Sequence, residues 1–219
     1  MEKRTRLITG LATSLVLVGS LIVATPAAAT TDRASIQLRQ ATLLNSEIVN
    51  GQRELASLSA REQALLTEFG TVSTVEYSTS TTVVSASDYR VASAAAVLGE
   101  SSKAAIVCKT KKHSRTAYSL ANIALYMSYH TGGYCTNGST VVSASWVDGG
   151  GQTYWAGWSN LGLINKGAGM VAGQGRSFSQ QSFQFQLGTP WPTQYTQPCL
   201  RVRGISNLVV AVDSVCGLY

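Results

Sequence analysis

Apolar positions along this chain fall into three successive patterns. Residues 7–24 carry no charge and follow a basic start at Lys3, Arg4 and Arg6. Between Asp32 and Phe69 the apolar residues recur every three to four positions, at Ile36, Leu43, Leu44, Ile48, Leu55, Leu58, Leu65 and Phe69. That spacing is the period of one helical face and predicts helix. Asn50-Gly51 interrupts it, so two helices or one kinked helix are expected. Thr31 or Asp32 is placed to cap the first. Ser59-Ala60-Arg61-Glu62 has the pattern of a capping box, and Phe69-Gly70 supplies a glycine stop.

From Thr71 the chain turns to Ser, Thr, Val, Ala and Gly. Residues 71–77, 81–86 and 89–95 read either as short first strands or as a polar linker. Further on, Ala121, Ile123, Leu125, Met127 and Tyr129 alternate with their neighbours as on a half-buried strand, although a helix through Leu120, Ile123, Ala124 and Met127 also fits. Asn137-Gly138 signals a tight hairpin, because both residues tolerate positive φ. Residues 140–147 continue as a β-branched run, Asp148-Gly149-Gly150-Gly151 reads as a turn, and 152–159 as an aromatic strand. Residues 161–175 read as a glycine-rich loop. Phe183, Phe185 and Leu187 then alternate with glutamines, and 199–203 and 208–212 form a closing pair of strands. Many short strands with frequent turns predict a mainly β fold, an antiparallel β-sandwich or barrel, preceded by an α-helical segment.

The basic start, the apolar stretch and the small residues Ala27 and Ala29 after Pro26 predict a signal peptide over residues 1–29. The stretch nears spanning length, but Thr9, Gly10, Thr13, Ser14, Gly19 and Ser20 dilute it. With the signal removed, no transmembrane segment is expected. All four cysteines lie later, at Cys108, Cys135, Cys199 and Cys216. An oxidising export route makes two disulfides the expectation. Cys108–Cys135 and Cys199–Cys216 are the preferred pairs, since each flanks a local strand pairing, and each should contribute about 2–4 kcal/mol. The cysteines lack CxxC spacing and there are only two histidines, so no metal site is expected.

The expected organisation is therefore a signal peptide (1–29), a helical segment (30–70), a Ser/Thr/Val-rich linker or first strands (71–99) and a disulfide-bonded β domain (100–219). The helical segment has two readings. It either packs its leucine stripe permanently on the β domain, or it is a prosegment removed after export.

Charge divides along the same boundary. Residues 30–99 hold five Arg/Lys and seven Asp/Glu, whereas 100–219 hold nine Arg/Lys and three acids. A basic exported domain suits anionic surfaces such as cell-wall or other extracellular polysaccharides. Its basic residues are not interleaved with aromatics and match no recognition motif, so nucleic acid is not an expected partner.

Catalytic chemistry is thinly supplied. His113 and His130 are the only histidines, there is no GxSxG elbow, and the β domain owns only Glu100, Asp148 and Asp213 as acids. A set of His130, Asp213 and a serine arises by chance in so serine-rich a chain, and paired carboxylates for glycoside hydrolysis are scarce. Asp148 reads as a turn residue, and both histidines read as surface residues. Gly167, Gly169, Gly173 and Gly175 lack the Lys-Ser/Thr of a phosphate loop. No catalytic residue and no cofactor is nominated.

Two clusters favour binding. Tyr154, Trp155 and Trp158 offer aromatic faces for stacking on sugars. Lys111, Lys112 and Arg115, with Lys109 and His113 beside Cys108, offer positive charge. The leading expectation is an exported, non-enzymatic binding protein that engages carbohydrate or an anionic cell-surface polymer. The rivals are a toxin or bacteriocin-like protein matured from a helical prosegment, and a hydrolase with an inconspicuous site at Asp148, Asp213 or His130.

Overall fold

The fold comes from a computed structural model, which describes residues 27–84, 106–187, 194–206 and 210–219. The expected signal peptide lies outside the described residues except for its last three, and so does the strand expected at 89–95.

Two helices lead. α1 (Ala27–Val49) runs through Thr31 and Asp32, so neither caps it. Gly51, at φ 71°, reverses the chain as Asn50-Gly51 predicted. After a single 3-10 turn comes α2 (Ala60–Gly70), opened by a complete capping box. The Ser59 backbone N–H donates to the Glu62 carboxylate at 2.9 Å, and the Glu62 N–H returns to Ser59 Oγ at 3.4 Å. Gly70 is not a left-handed stop: Thr71 ends the helix in extended backbone. A Cβ at Gly70 would meet the Phe185 ring at 2.7 Å, so the missing side chain serves close packing. The leucine stripe is only partly used. Ala41, Leu44, Leu58 and Leu66 join the core, while Ile36 and Leu43 stay exposed.

The β domain is a pair of antiparallel sheets, as the alternation predicted, but its strands are longer and fewer than the turn signals implied. The first sheet is a meander of β1 (Thr74–Val84), β2 (Ile106–Tyr118), β3 (Ala124–Asn137) and β4 (Thr140–Thr153). The second contains β5 (Trp158–Val171), β6 (Gln174–Phe185), β8 (Cys199–Gly204) and β9 (Val210–Asp213) in that order. A short β7 (Gln194–Thr196) pairs with β6 beyond the end of β8. Residues 74–84 thus form one strand where two short ones or a linker were read, residues 85–86 lying outside the described residues, and from Ala124 on the strand reading of 121–129 prevails over the helical one. The turn near Asn137-Gly138 falls one residue later, on Gly138-Ser139, with Asn137 paired to Thr140. Among the described residues no helix is long and apolar enough to cross a membrane.

Two glycine-rich stretches that read as turn and loop are strand. Asp148 to Gly151 lies inside β4, where Gly149, Gly150 and Gly151 pair with His130, Tyr129 and Ser128. Residues 161–171 form most of β5, and the real turn is Ala172-Gly173, both at positive φ. Glycine occupies β4 because the facing groups come too close for a side chain. A Cβ at Gly149 would overlap Ser179 Oγ, and one at Gly151 would overlap the Phe183 ring. Gly150, on the other face, lies beneath the Tyr129 ring. The aromatic stretch after it is not a strand either: β4 ends at Thr153, and residues 154–157 carry the chain from one sheet to the other.

Both disulfides form as preferred. Cys108 and Cys135 are directly opposed across β2 and β3, and Cys199–Cys216 ties the start of β8 to the tail after β9.

Alternation along β6 divides the interior. Ser177, Ser179, Gln181, Phe183 and Phe185 are all buried and share one face, which changes from hydroxyl to aromatic along the strand. At the aromatic end Tyr126 sits 4.4 Å from Phe183 and 4.6 Å from Trp158, centroid to centroid. The helices close this end.

The β4 glycines give a stability test. Gly151→Ala drives a methyl group into Phe183 and within 3.1 Å of the Met127 carbonyl oxygen, and should cost about 1–3 kcal/mol. Gly169→Ala, whose new carbon meets only Leu218 at 3.5 Å, should change stability by less than about 0.5 kcal/mol. Urea unfolding of both variants measures the difference; equal effects would show that sheet-to-sheet contact does not select glycine in β4.

Candidate functional site

The residues expected from sequence to bind ligand are dispersed. Trp155 and Trp158 are only 2% and 5% exposed. Their indole N–H groups donate to main-chain carbonyls of α2, Trp155 to Leu66 at 3.1 Å and Trp158 to Gly70 at 2.9 Å. The two rings therefore clamp the helix to the β domain and offer no open face for stacking. Tyr154 is half-buried in the same crossing, its hydroxyl turned to the Met127 sulfur at 3.9 Å. The physical reason is that residues 154–157 are a crossing between sheets and Trp158 only begins β5, so one strand's alternation does not run through all three aromatics.

The basic run, by contrast, is a strand, and alternation splits it. Lys112 lies on the outer face of the first sheet, its ammonium 4.2 Å from the centre of the Tyr129 ring. Lys111, His113 and Arg115 take the inner face. The expectation of one continuous patch is therefore corrected, because successive side chains of an extended strand point to opposite sides.

Both histidines are buried rather than superficial. His113, 3% exposed, stacks on Tyr77 and faces the Ser78 carbonyl oxygen at 3.4 Å. His130 is fully buried between Ser179 at 2.8 Å on Nδ1 and Ser177 at 2.9 Å on Nε2. Ser179 also accepts from the Trp146 indole at 2.8 Å. Burial pushes His130 down to about 4. The other candidates for hydrolysis have structural partners: Asp213 is held by Arg201 and Arg203 at 2.8 and 2.9 Å, and Asp148 accepts from the Gly149 N–H.

Arg115 opens on a groove. It lies on β2, opposite Tyr77 of β1 and Ser128 of β3, at the edge where the two sheets part. Its guanidinium donates to the Tyr126 hydroxyl at 2.9 Å, and that hydroxyl donates on to Thr196 of β7 at 3.4 Å. Only one of its N–H groups is thereby used. Among the described residues no carboxylate forms an ion pair with it. Two hollows of about 260 and 310 Å³ meet there. Tyr77, Gln197 and Ser214 line the first, and Gln194, Tyr195 and the edge of Trp158 line the second. Tyr77 is 49% exposed beside Arg115, whereas Tyr195, paired with Gln184, takes the face of β7 away from Gln194 and Thr196. A charged planar fork, amides, hydroxyls and one open tyrosine ring together suit an anionic polar ligand. Among the described residues that line the two hollows there is no carboxylate and no histidine.

Of this groove the sequence had indicated Arg115 and, as a wall, Trp158. It had not indicated Tyr77, Tyr126 or the polar residues Gln194, Thr196 and Gln197 of the run around Tyr195. The available signal was that run itself, where an aromatic ring stands among amides and a hydroxyl just before Pro198-Cys199.

His130 gives a pH test. Unfolded, the imidazole titrates near 6.5; folded, near 4. The unfolded chain binds the extra proton between those values, so the stability of the neutral, buried form is complete above pH 6.5 and falls as the pH drops toward 4. The loss should reach about 3 kcal/mol. Urea unfolding at neutral pH and near pH 4 should show that slope in the wild type and not in His130→Gln; parallel profiles would mean that the imidazole titrates normally.

No protein-family model, curated protein or solved structure matches this chain, so the groove itself is the ground for assigning a function.

Proposed function

We propose that this is an exported, non-enzymatic binding protein that holds an anionic carbohydrate or cell-surface polymer in the groove around Arg115. The observation that carries the reading is the Arg115 guanidinium, fixed by a buried neutral phenol and without a carboxylate partner among the described residues. A guanidinium left in that state attracts an anion, and its planar fork can take a carboxylate, sulfate or phosphate on two hydrogen bonds. The exposed Tyr77 adds an apolar face with a polar tip, and the glutamines add donors and acceptors for hydroxyl groups.

The rivals have less support. A toxin released from a helical prosegment requires the helices to leave, yet four hydrogen bonds pin them to residues 154–158. Two are the indole bonds of Trp155 and Trp158, and two join Asn45 to the Tyr154 carbonyl and the Ala156 N–H. A hydrolase built on His130 would need solvent to reach a fully buried ring.

Co-sedimentation of the protein with insoluble acidic polysaccharide and with bacterial cell walls, repeated across a salt series, tests the reading. Binding should weaken as salt rises. Arg115→Gln should weaken it by about tenfold or more, the scale of a lost charged hydrogen bond. Lys112→Gln, on the opposite face, should leave it unchanged. The reverse ranking of the two variants would move the ligand to the outer face of the first sheet.

A further inference from the structure

β1 is an open edge of the first sheet. It pairs with β2 along one side in unbroken register from Thr74 to Val84, and among the described residues no strand pairs with its other side. Every residue from Thr74 to Val83 is exposed. Folded proteins protect such an edge with lysine, proline or a bulge, because its free N–H and C=O groups can accept another strand. β1 has none of the three, and its single charge is Glu76. We propose that β1 is a dimer interface. It pairs antiparallel with the β1 of a second copy about Thr79, so that two four-stranded sheets join into one of eight.

The strand's own sequence selects a copy of itself. Ser78-Thr79-Ser80 is symmetric about Thr79, and the two exposed valines, Val75 and Val83, lie four residues to either side. A two-fold axis at Thr79 therefore sets Val75 against the partner's Val83, twice, and Thr79 against its own copy. Such cross-strand pairs are what stabilise a sheet. Glu76 falls opposite the partner's Thr82, whose hydroxyl can donate to it, so no like charges meet. Moving the axis to Ser78 or Ser80 would lose both valine pairs, which fixes the register.

The pairing also organises the inner side of the sheet. Val75, Tyr77 and Val83 share the inner face, opposite Ala117, Arg115 and Lys109, and remain 37%, 49% and 66% exposed. The axis stands perpendicular to the sheet, so the inner faces of both β1 strands look the same way. The two Arg115 positions then belong to one face, about 20 Å apart, counting three strand spacings across and four residues along. A polymer with repeated anionic groups can reach both, which multiplies a weak single contact. That consequence rests on the binding reading above, whereas the dimer itself does not.

Analytical sedimentation of the full chain across a concentration series tests the pairing and should show a monomer–dimer equilibrium. Thr79→Lys sets two ammonium groups against each other at the axis and should raise the dimer dissociation constant about fivefold or more. The position is exposed, so the circular dichroism of the variant should match the wild type. The chain has no free cysteine, so Thr79→Cys adds a lone thiol that should join its own copy under mild oxidation. Val83→Cys, which faces the partner's Val75, should not. Arg115→Gln should leave the dimer intact, which keeps this result separate from ligand binding. A monomer at every concentration would overturn the proposal. So would a dimer that is indifferent to Thr79→Lys and cross-links equally well at both cysteine positions.

Discussion

Tyr126 joins the core of this protein to its groove, and the rest of the architecture depends on that one side chain being held at both ends. Its ring is fully buried against Phe183 and Trp158. Its hydroxyl accepts from Arg115 and donates to Thr196, linking the first sheet to β7 of the second. A phenol does this better than other side chains, since its apolar ring can be buried while its polar tip finds partners. Through it, the aromatic packing that closes the sandwich also fixes the direction of a guanidinium at the surface. The helices contribute to the same arrangement from behind. Trp158 packs on Tyr126 and donates to Gly70, so the end of α2 is part of the support for the groove.

The interior away from the helices is of another kind. His130, Ser177, Ser179 and Trp146 form a buried polar network in place of hydrophobic packing. Such a network is tolerated because its members satisfy one another, and an unpaired polar group at that depth would cost stability. The sheets also approach closely there, which excludes side chains from Gly132 and Gly149, where a Cβ would strike Ser177 and Ser179. Glycine and serine in these strands are thus two halves of one packing solution. Small residues bring the sheets together, and hydroxyls fill and bond across the narrow space.

Local grammar was a good guide wherever a short stretch decides its own conformation. The capping box at Ser59, the reversal at Asn50-Gly51 and the alternation through Phe183 and Phe185 are all present as read. The disulfide pairing followed for a similar reason, because each pair closes a local stretch of chain, one across β2 and β3 and one between β8 and the tail after β9. Local grammar misled at glycine. Asp148-Gly149-Gly150-Gly151 and the glycines of β5 have the composition of turns, yet both stretches are strand, and at Gly149 and Gly151 a facing side chain on the other sheet excludes a Cβ. Likewise Trp155 and Trp158 have the look of a sugar platform, and the docking of α2 turned them inward.

Composition and periodicity alone determined that this chain makes two helices followed by a disulfide-bonded antiparallel β domain with a surplus of positive charge. These properties depend on neighbours within a few positions, on cysteine count and on net charge, all of which are written in order along the chain. The tertiary structure decided which charged and aromatic residues are free to meet a ligand. Arg115, Tyr77 and Thr196 come from three separate strands, and nothing in their local sequence says that the edges of two sheets part between them. Burial is a property of the whole packed object, so it separated Trp155 and Trp158, drawn into the core, from Tyr77, left at the groove.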